Sequence, residues 1–485
     1  MTSRPGTAAV RRSPLPAGGQ KLLDAFTASA LAQDSPVTPN EDFDAWFARQ
    51  RRRPGFTVRR VPVEELGQWE FAPDTGDLRH SSGRFFTVQG LRVESVPDAG
   101  EEPAGGWEQP IMSQREIGVL GFLVAQFDGV PHFLVQAKME PGNVRTVHLA
   151  PSLQATRSNL AGVHQGRGTP LMEHFRIPGS GRVLVDSLQS ERGAWFLRKR
   201  NRHLVVEAVG DLELTDDYRW LTLGQLHRLL SRPNHLTMEA CSLLALLPLR
   251  MLPDRAGSPY GAALLNSQSP SAPTVQSTVG VVGRLNEVKA RHQVRQHGVP
   301  LGSLTEWHRD GGVVRRPDGR FFEVVGLEVT APNREVAHWT QPLFAPVPGG
   351  VAALMTRVFD GVLHVLLHAR VEAGLIDVAE LCPTVQCTPS NYRGLPAGQR
   401  PRYLDEVLAA PASAIRFDAV LSEEGARFHR AESRYLVIEA PDDFDPCPPD
   451  GFVWVSVAQV HELLRHSYLL NMQARTLVAA LQSLY

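Results

Sequence analysis

One long stretch of this chain repeats another. The segment Trp107–Glu207 runs without a gap against Trp339–Glu439. Gln109-Pro110 returns as Gln341-Pro342, and Phe127-Asp128-Gly129-Val130 as Phe359-Asp360-Gly361-Val362. The polar pattern Pro151-x-x-Gln154-x-Thr156-x-Ser158-Asn159 returns as Pro383-x-x-Gln386-x-Thr388-x-Ser390-Asn391, and Ser190-Glu191-x-Gly193-Ala194 as Ser422-Glu423-x-Gly425-Ala426. Outside that block Trp69 corresponds to Trp307, Gly83-Arg84-Phe85-Phe86 to Gly319-Arg320-Phe321-Phe322, and Trp220–Leu230 to Trp454–Leu464. A repeat this long is a duplicated domain and not one turn of a solenoid. The chain is therefore expected to fold as two tandem modules about a pseudo-twofold axis, the first over 37–255 and the second over 281–485. Residues 1–36, rich in Pro, Ser, Ala and Gly, are expected to be a disordered tail. Residues 256–280 include the Ser/Pro/Gln-rich run Ser267–Thr278 and are expected to be a linker.

Within a module the pattern is α+β, with antiparallel hairpins dominant. Phe85–Val93 alternates as a strand. Gly118–Ala125 and His132–Ala137 are apolar runs joined at Asp128-Gly129, a favoured two-residue hairpin turn. Leu204–Ala208 reads as another strand. Thr222–Leu230 is amphipathic, Met238–Leu249 is a second helix, and a further helix is expected from Asn40, as its cap, to Arg51-Arg52-Arg53.

Composition excludes several function classes. Hydrophobic residues at 42% and charged residues at 21% make a globular balance. Fifty basic residues against 51 acidic ones leave a net charge of −1, which argues against broad electrostatic binding to nucleic acid or to an anionic membrane. No apolar run reaches about 18 residues, so no transmembrane helix is expected. The N-terminus lacks the apolar core of a secretory leader, and a cytoplasmic location is expected. Cys241, Cys382, Cys387 and Cys447 form no CxxC pair, so neither a zinc site nor a disulfide framework is expected. Lysine is scarce: only Lys21, Lys138, Lys199 and Lys289 occur, and Lys138 lies inside a polar motif.

That motif, Gln136–Asn159, packs hydrogen-bonding side chains directly after an apolar strand, which suits a cleft better than a core. Its counterpart is Arg370–Asn391. Trp69 and Trp307 are either core residues or flat stacking platforms for a ring. Arg157, Arg370 and Arg393 have the fork geometry that grips phosphates. There is no GxGxxG opening a strand–helix unit, no GxxxxGK[ST], no HExxH and no GxSxG elbow, so Rossmann, P-loop, zincin and serine-hydrolase chemistry find no support.

The strings His80–Leu91, Gln136–Asn143, Ala150–Asn159, Asp186–Arg202, Cys382–Tyr392 and Ser422–Tyr435 resemble the NDP-hexose 2,3-dehydratase family, and the resemblance spans roughly Asp42–Leu484. It implies two tandem Nudix-like modules, a homodimer, and a place in actinomycete deoxysugar biosynthesis for antibiotics. It also implies a hydro-lyase acting on NDP-4-keto-6-deoxyglucose, usually the dTDP form. One departure is visible. Ala373-Gly374-Leu375 stands where Pro-Gly follows the glutamate in many members, as Pro141-Gly142 does in the first half, which puts the loop after Glu372 in question.

The implied chemistry needs no metal or cofactor. The C4 ketone acidifies the hydrogen on C3, its removal gives an enolate, and the C2 hydroxyl β to that carbanion leaves as water. The enol product ketonises to a labile 3,4-diketo-2,6-dideoxy sugar, for which an NADPH-dependent 3-ketoreductase is the expected partner. Glu424, His429 and Tyr392 are taken as catalytic, with Glu140, Glu372 and Glu423 as further candidate bases. The second half is preferred for catalysis, because Glu424 and Tyr392 face Arg192 and Leu160 in the first. Expected substrate contacts are Trp69, Gln154, Thr156, Arg157 and Ser187 in one half. In the other they are Trp307, Arg370, Gln386, Cys387, Thr388, Asn391 and Arg393. Two alternatives stand beside this. A Nudix-type hydrolase requires a glutamate-rich metal helix, which the sequence lacks. A non-catalytic nucleotide-sugar binding or scaffold protein requires no base.

Overall fold

The computed structural model describes residues 12–96, 106–156, 169–176, 181–253, 256–331, 336–441 and 443–484. Turn chemistry builds the same sheet twice. The hairpin of Gly118–Phe127 and Val130–Met139 turns on Asp128 and Gly129, both at positive φ (46° and 83°), which the tight two-residue turn requires. Asp360 (48°) and Gly361 (75°) do the same between Gly350–Phe359 and Val362–Val371. One strand of each sheet breaks the antiparallel rule. Arg200–Glu207 runs parallel to Gly118–Phe127, and Glu432–Glu439 parallel to Gly350–Phe359. A helix follows the last strand of each module and starts in a capping box, Thr222 with Gln225 and Ser456 with Gln459. The helix after the first of these is shorter than expected, Met238–Ala245, and the strand expected at Phe85–Val93 is Thr87–Val96. The helix at Asn40–Arg51 is present, but Asn40 does not cap it; its side chain accepts from Gln225 instead.

Two boundaries differ from expectation. Residues 19–31 form a helix where a disordered tail was expected. Phe26 is fully buried, 5.7 Å from Phe133, and Ser29 Oγ donates to the Pro131 carbonyl at 2.6 Å while accepting from the Leu223 N–H at 2.9 Å. The expected linker likewise holds the helix Pro259–Ser267, and Ser267 repeats the bonds of Ser29, to the Leu363 carbonyl and from the Val457 N–H. The pattern hid both helices because small and polar residues fill them; Phe26, Tyr260 and Leu264 supply the burial. Each half therefore begins with a helix pair, the second members being Asn40–Arg51 and Thr278–Arg291.

The modules interlock instead of standing apart. Thr57–Val61, from the first half, pairs with Phe322–Thr330 of the second. Gln293–Val299, from the second half, pairs with Thr87–Val96 of the first. The helices Met238–Ala245 and Met472–Gln482 meet in one shared core, where Leu243, Leu244 and Leu477 are wholly buried; each such side chain contributes about 1.5–3 kcal/mol. Arg475 lies in that core, donating to the carbonyls of Ser190 (2.7 Å) and Leu470 (2.6 Å) and to Ser242 Oγ (2.7 Å). Every contact of this kind across the halves depends on both folding together.

Candidate active site

Two cavities open where the modules meet, of about 1360 and 1300 Å3 including their mouths. They occupy equivalent places in the repeat. The first is floored by first-module residues Lys138, Glu140, Gln154, Thr156 and Lys199, and roofed by Trp339, Gln341, Glu424 and Arg427 of the second module. The second reverses the roles, with Arg370, Glu372, Gln386 and Thr388 below and Trp107, Gln109, Arg192 and Trp195 above. Neither cavity is the property of one module.

The repeated Gly-Arg-Phe-Phe motif serves these cavities. Phe85 (φ 76°) and Phe321 (φ 68°) sit in left-handed backbone, which is strained for a bulky residue, and each lines the cavity of its own module.

The first cavity concentrates groups that can hold or release a proton. Lys138 Nζ lies 3.0 Å from Glu140 Oε1. Burial pushes the Glu424 carboxyl up, and the charge of Glu140 pushes the same way, against Arg427 and Lys199. Burial, reinforced by Glu424, raises Glu239 to about 8 and Glu191 to about 7. Burial also lowers Lys199, whose ammonium donates to the Glu116 carbonyl. Two of the chain's four lysines thus line this one cavity. Lysine differs from arginine in being able to lose its proton when buried.

The second cavity has the same outline and different chemistry. Arg370 replaces Lys138, Ala431 replaces Lys199, and Arg192 replaces Glu424. Arg192 is held by Glu423 at 2.8 Å and lies over the Trp195 ring at 3.7 Å. Glu372 accepts from Gln386 at 3.1 Å. Burial raises the Cys387 thiol to about 11, so the thiol stays protonated. Among the described residues no three His, Cys, Asp or Glu side chains gather to hold a metal ion.

The expected catalytic trio does not assemble. Glu424 lines the first cavity, Tyr392 the second, and His429 neither. Of the expected substrate contacts, Trp69, Gln154 and Thr156 line the first cavity, and Trp307, Arg370, Gln386, Cys387, Thr388 and Asn391 the second. Ser187 is engaged by Gln189 at 2.7 Å, away from both cavities, and Arg393 lines neither. Arg157 lies outside the described residues. Trp69 is chiefly a core residue: it is 8% exposed, 4.7 Å from Phe86, and its Nε1 donates to the Thr340 carbonyl at 2.9 Å. Trp307 is packed alike against Phe322 at 4.6 Å. Trp339 and Trp107 also line the first and second cavities respectively, and the motif reading passed over both although Trp107 aligns with Trp339 in the repeat. Lys199, Glu239 and Arg427 were passed over too. Only the repeat alignment hinted at them, through the mismatches with Ala431, Gln473 and Trp195.

The loop in question after Glu372 is intact. Gly374 N–H donates to the Gly193 carbonyl at 2.7 Å, as Gly142 does to Gly425, so Ala373 in place of proline changes nothing in that contact.

A model of the family described as NDP-hexose 2,3-dehydratase matches residues 40–247 and again 278–481. A Saccharopolyspora spinosa protein named dTDP-4-dehydro-6-deoxy-alpha-D-glucopyranose 2,3-dehydratase is 43% identical over 95% of this chain and 95% of its own length. An Amycolatopsis orientalis protein of the same name is 43% identical over 99% of this chain and 97% of its own length. A Streptomyces violaceoruber namesake is 41% identical over 92% and 98%.

Proposed function

The chain belongs to the NDP-hexose 2,3-dehydratase family, and from that premise we propose that its first cavity removes water from C2 and C3 of dTDP-4-dehydro-6-deoxy-α-D-glucose. Glu140, ion-paired with Lys138, is the base that takes the C3 proton. The electrons move to the C4 oxygen, giving an enolate. They return as the C2–C3 double bond forms and the C2–O bond breaks, and Glu424 delivers its proton to the departing hydroxyl as water. Two nearby carboxyls in unlike surroundings are suited to opposite duties: an ammonium beside Glu140 favours a charged carboxylate, while burial and the neighbouring Glu140 favour the protonated form of Glu424. A positioned acid or base contributes about 10²–10⁴ in rate. The observation that carries this choice of cavity is Arg192, which stands in the second cavity where Glu424 stands in the first and cannot act as an acid.

The site is served by Gln154, Thr156, Gln341 and Trp339, with Trp339 the ring platform. We further propose that the modules are Nudix-like and related by a pseudo-twofold axis. The protein acts as a cytoplasmic homodimeric hydro-lyase in the making of an antibiotic deoxysugar, and its labile diketo product passes to an NADPH-dependent 3-ketoreductase. Among the described residues no helix is long and apolar enough to cross a membrane.

The test is incubation of the chain with the dTDP-4-keto sugar, a 3-ketoreductase and NADPH in the presence of EDTA. A 2-deoxy sugar is expected. Release of nucleotide that chelation stops would mean a hydrolase, and neither product would mean a binding protein.

A further inference from the structure

The elimination leaves one need unmet: a hydrogen-bond donor for the C4 oxygen while it carries the enolate charge. Resting on the reaction proposed above, we infer that Glu239 is that donor, a neutral carboxylic acid whose free oxygen presents its proton to the C4 oxygen.

Three observations lead there. Glu239 is 3% exposed and lines the first cavity together with Glu140 and Glu424. Its Oε1 accepts from Gln154 Nε2 at 3.0 Å, which fixes the carboxyl plane. Its Oε2 is buried and has no hydrogen-bond partner among the described residues. A buried polar atom left unpaired at a cavity wall costs about 1–3 kcal/mol, a cost recovered when a ligand supplies the partner.

The counterpart in the repeat supplies the fourth observation. The residue matching Glu239 is Gln473, at the same place in the first turn of its helix. Gln473 Nε2 donates to Glu423 Oε2 at 3.4 Å. This position therefore holds a neutral donor aimed at a carboxyl oxygen in the module not assigned the chemistry. A protonated glutamic acid has nearly the same shape as glutamine and likewise sets a donor beside an acceptor, one O–H in place of two N–H. Burial, with Glu424 beside it, holds the Glu239 proton on to about pH 8, although a hydrogen bond from its own main-chain N–H pulls the other way. Lys138 and Lys199 line the same cavity; Glu191, which does not line it, raises and Lys138 lowers Glu239.

The step balances. Glu140 takes the C3 proton, the C3–H electrons become the C3–C4 double bond, and the carbonyl electrons rest on the C4 oxygen against the Glu239 O–H. The charge returns as the carbonyl re-forms, so Glu239 ends each turnover as it began.

The experiment is exchange of the C3 hydrogen with solvent deuterium, read by NMR on the dTDP-4-keto sugar, beside kcat and KM for water loss. Glu239→Ala is expected to lower exchange and kcat together by about 10²–10³, the size of one oxyanion donor, with KM little changed. Glu239→Gln restores a neutral donor and is expected to keep kcat within about tenfold of the parent. Unfolding midpoints and dTDP binding of both variants guard against a merely structural loss. Normal exchange in Glu239→Ala overturns the inference, as does Glu239→Gln being as slow as Glu239→Ala while both remain folded. A parent chain that neither exchanges nor dehydrates strikes the reaction itself, and the inference falls with it.

Discussion

The backbone N–H of Gly142 donates to the carbonyl of Gly425 at 2.7 Å. Gly142 follows Glu140 by two residues, and Gly425 follows Glu424 by one, so a single main-chain bond across the modules sets the spacing of the two carboxyls. The carbonyl of Gly142 is tied as well, accepting from Arg430 N–H at 2.7 Å. The repeat makes the same pair of bonds through Gly374, Gly193 and Arg198. On the proposed reaction, interlocking is therefore part of the chemistry: the proposed base, Glu140, is carried by one module and the proposed acid, Glu424, by the other.

A side chain has no room in that contact. A Cβ on Gly142 would meet the Phe428 carbonyl oxygen at 1.8 Å, and one on Gly374 would meet the Phe196 carbonyl oxygen at 1.8 Å. Both obstacles are backbone and cannot swing away. Gly142→Ala and Gly374→Ala are each expected to cost about 1–3 kcal/mol in denaturant unfolding. Only Gly142→Ala should also cut kcat, by about tenfold or more, because only it separates a base from an acid. Equal kcat losses in the two variants would count against a single working cavity.

Lys138 is the ion-pair partner of the proposed base Glu140, and a neighbouring cation favours the charged form of a carboxyl. Lys138→Met removes the ammonium 3.0 Å away, and the acid limb of kcat/KM is expected to move to higher pH by about one unit or more. Lys138→Arg supplies a cation again and should return the limb most of the way. An unmoved limb in Lys138→Met would show that Glu140 does not set it.

Stability has its own pH signature. Burial raises Glu191 and Glu380 to about 7 and Glu239 to about 8 from 4.5. Their contribution is complete below the unfolded value and is lost as pH climbs through the folded values. His148 and His203, lowered by burial to about 3 from 6.5, act in reverse: the unfolded chain gains protons first on acidification, so stability falls below about 6.5. The urea midpoint should be highest between pH 4.5 and 6.5 and drop by pH 9, with a shallower drop in Glu239→Gln. A midpoint still rising from pH 6.5 to 9 would contradict neutral buried carboxyls.

What was legible in the sequence was what is local. Asp128-Gly129 and Asp360-Gly361 specify their hairpins because few residue pairs tolerate two left-handed conformations in succession. The capping Thr222 and Ser456 stand beside visible apolar stripes. The helix Gly19–Leu31 was not legible, because Ser29 and Phe26 acquire their value only against Pro131 and Phe133, over a hundred residues away. The site was half legible. Glu424 and Arg192 were marked by their mismatch in the repeat, and the asymmetry is real in the structure. Which cavity Glu424 enters depends on a crossing between modules, and no spacing within either half encodes it. Tyr392 and Glu424 were joined because they share a half, and the crossing separates them.

The assignment of base and acid to opposite modules meets its most direct test in deuterium exchange at C3 measured against water loss. In Glu424→Gln the base is intact and the acid is gone, so deuterium should enter C3 of the dTDP-4-keto sugar while elimination slows by about 10²–10⁴. In Glu140→Gln neither should proceed. Exchange surviving in Glu140→Gln, or elimination at the parent rate in Glu424→Gln, would contradict the account.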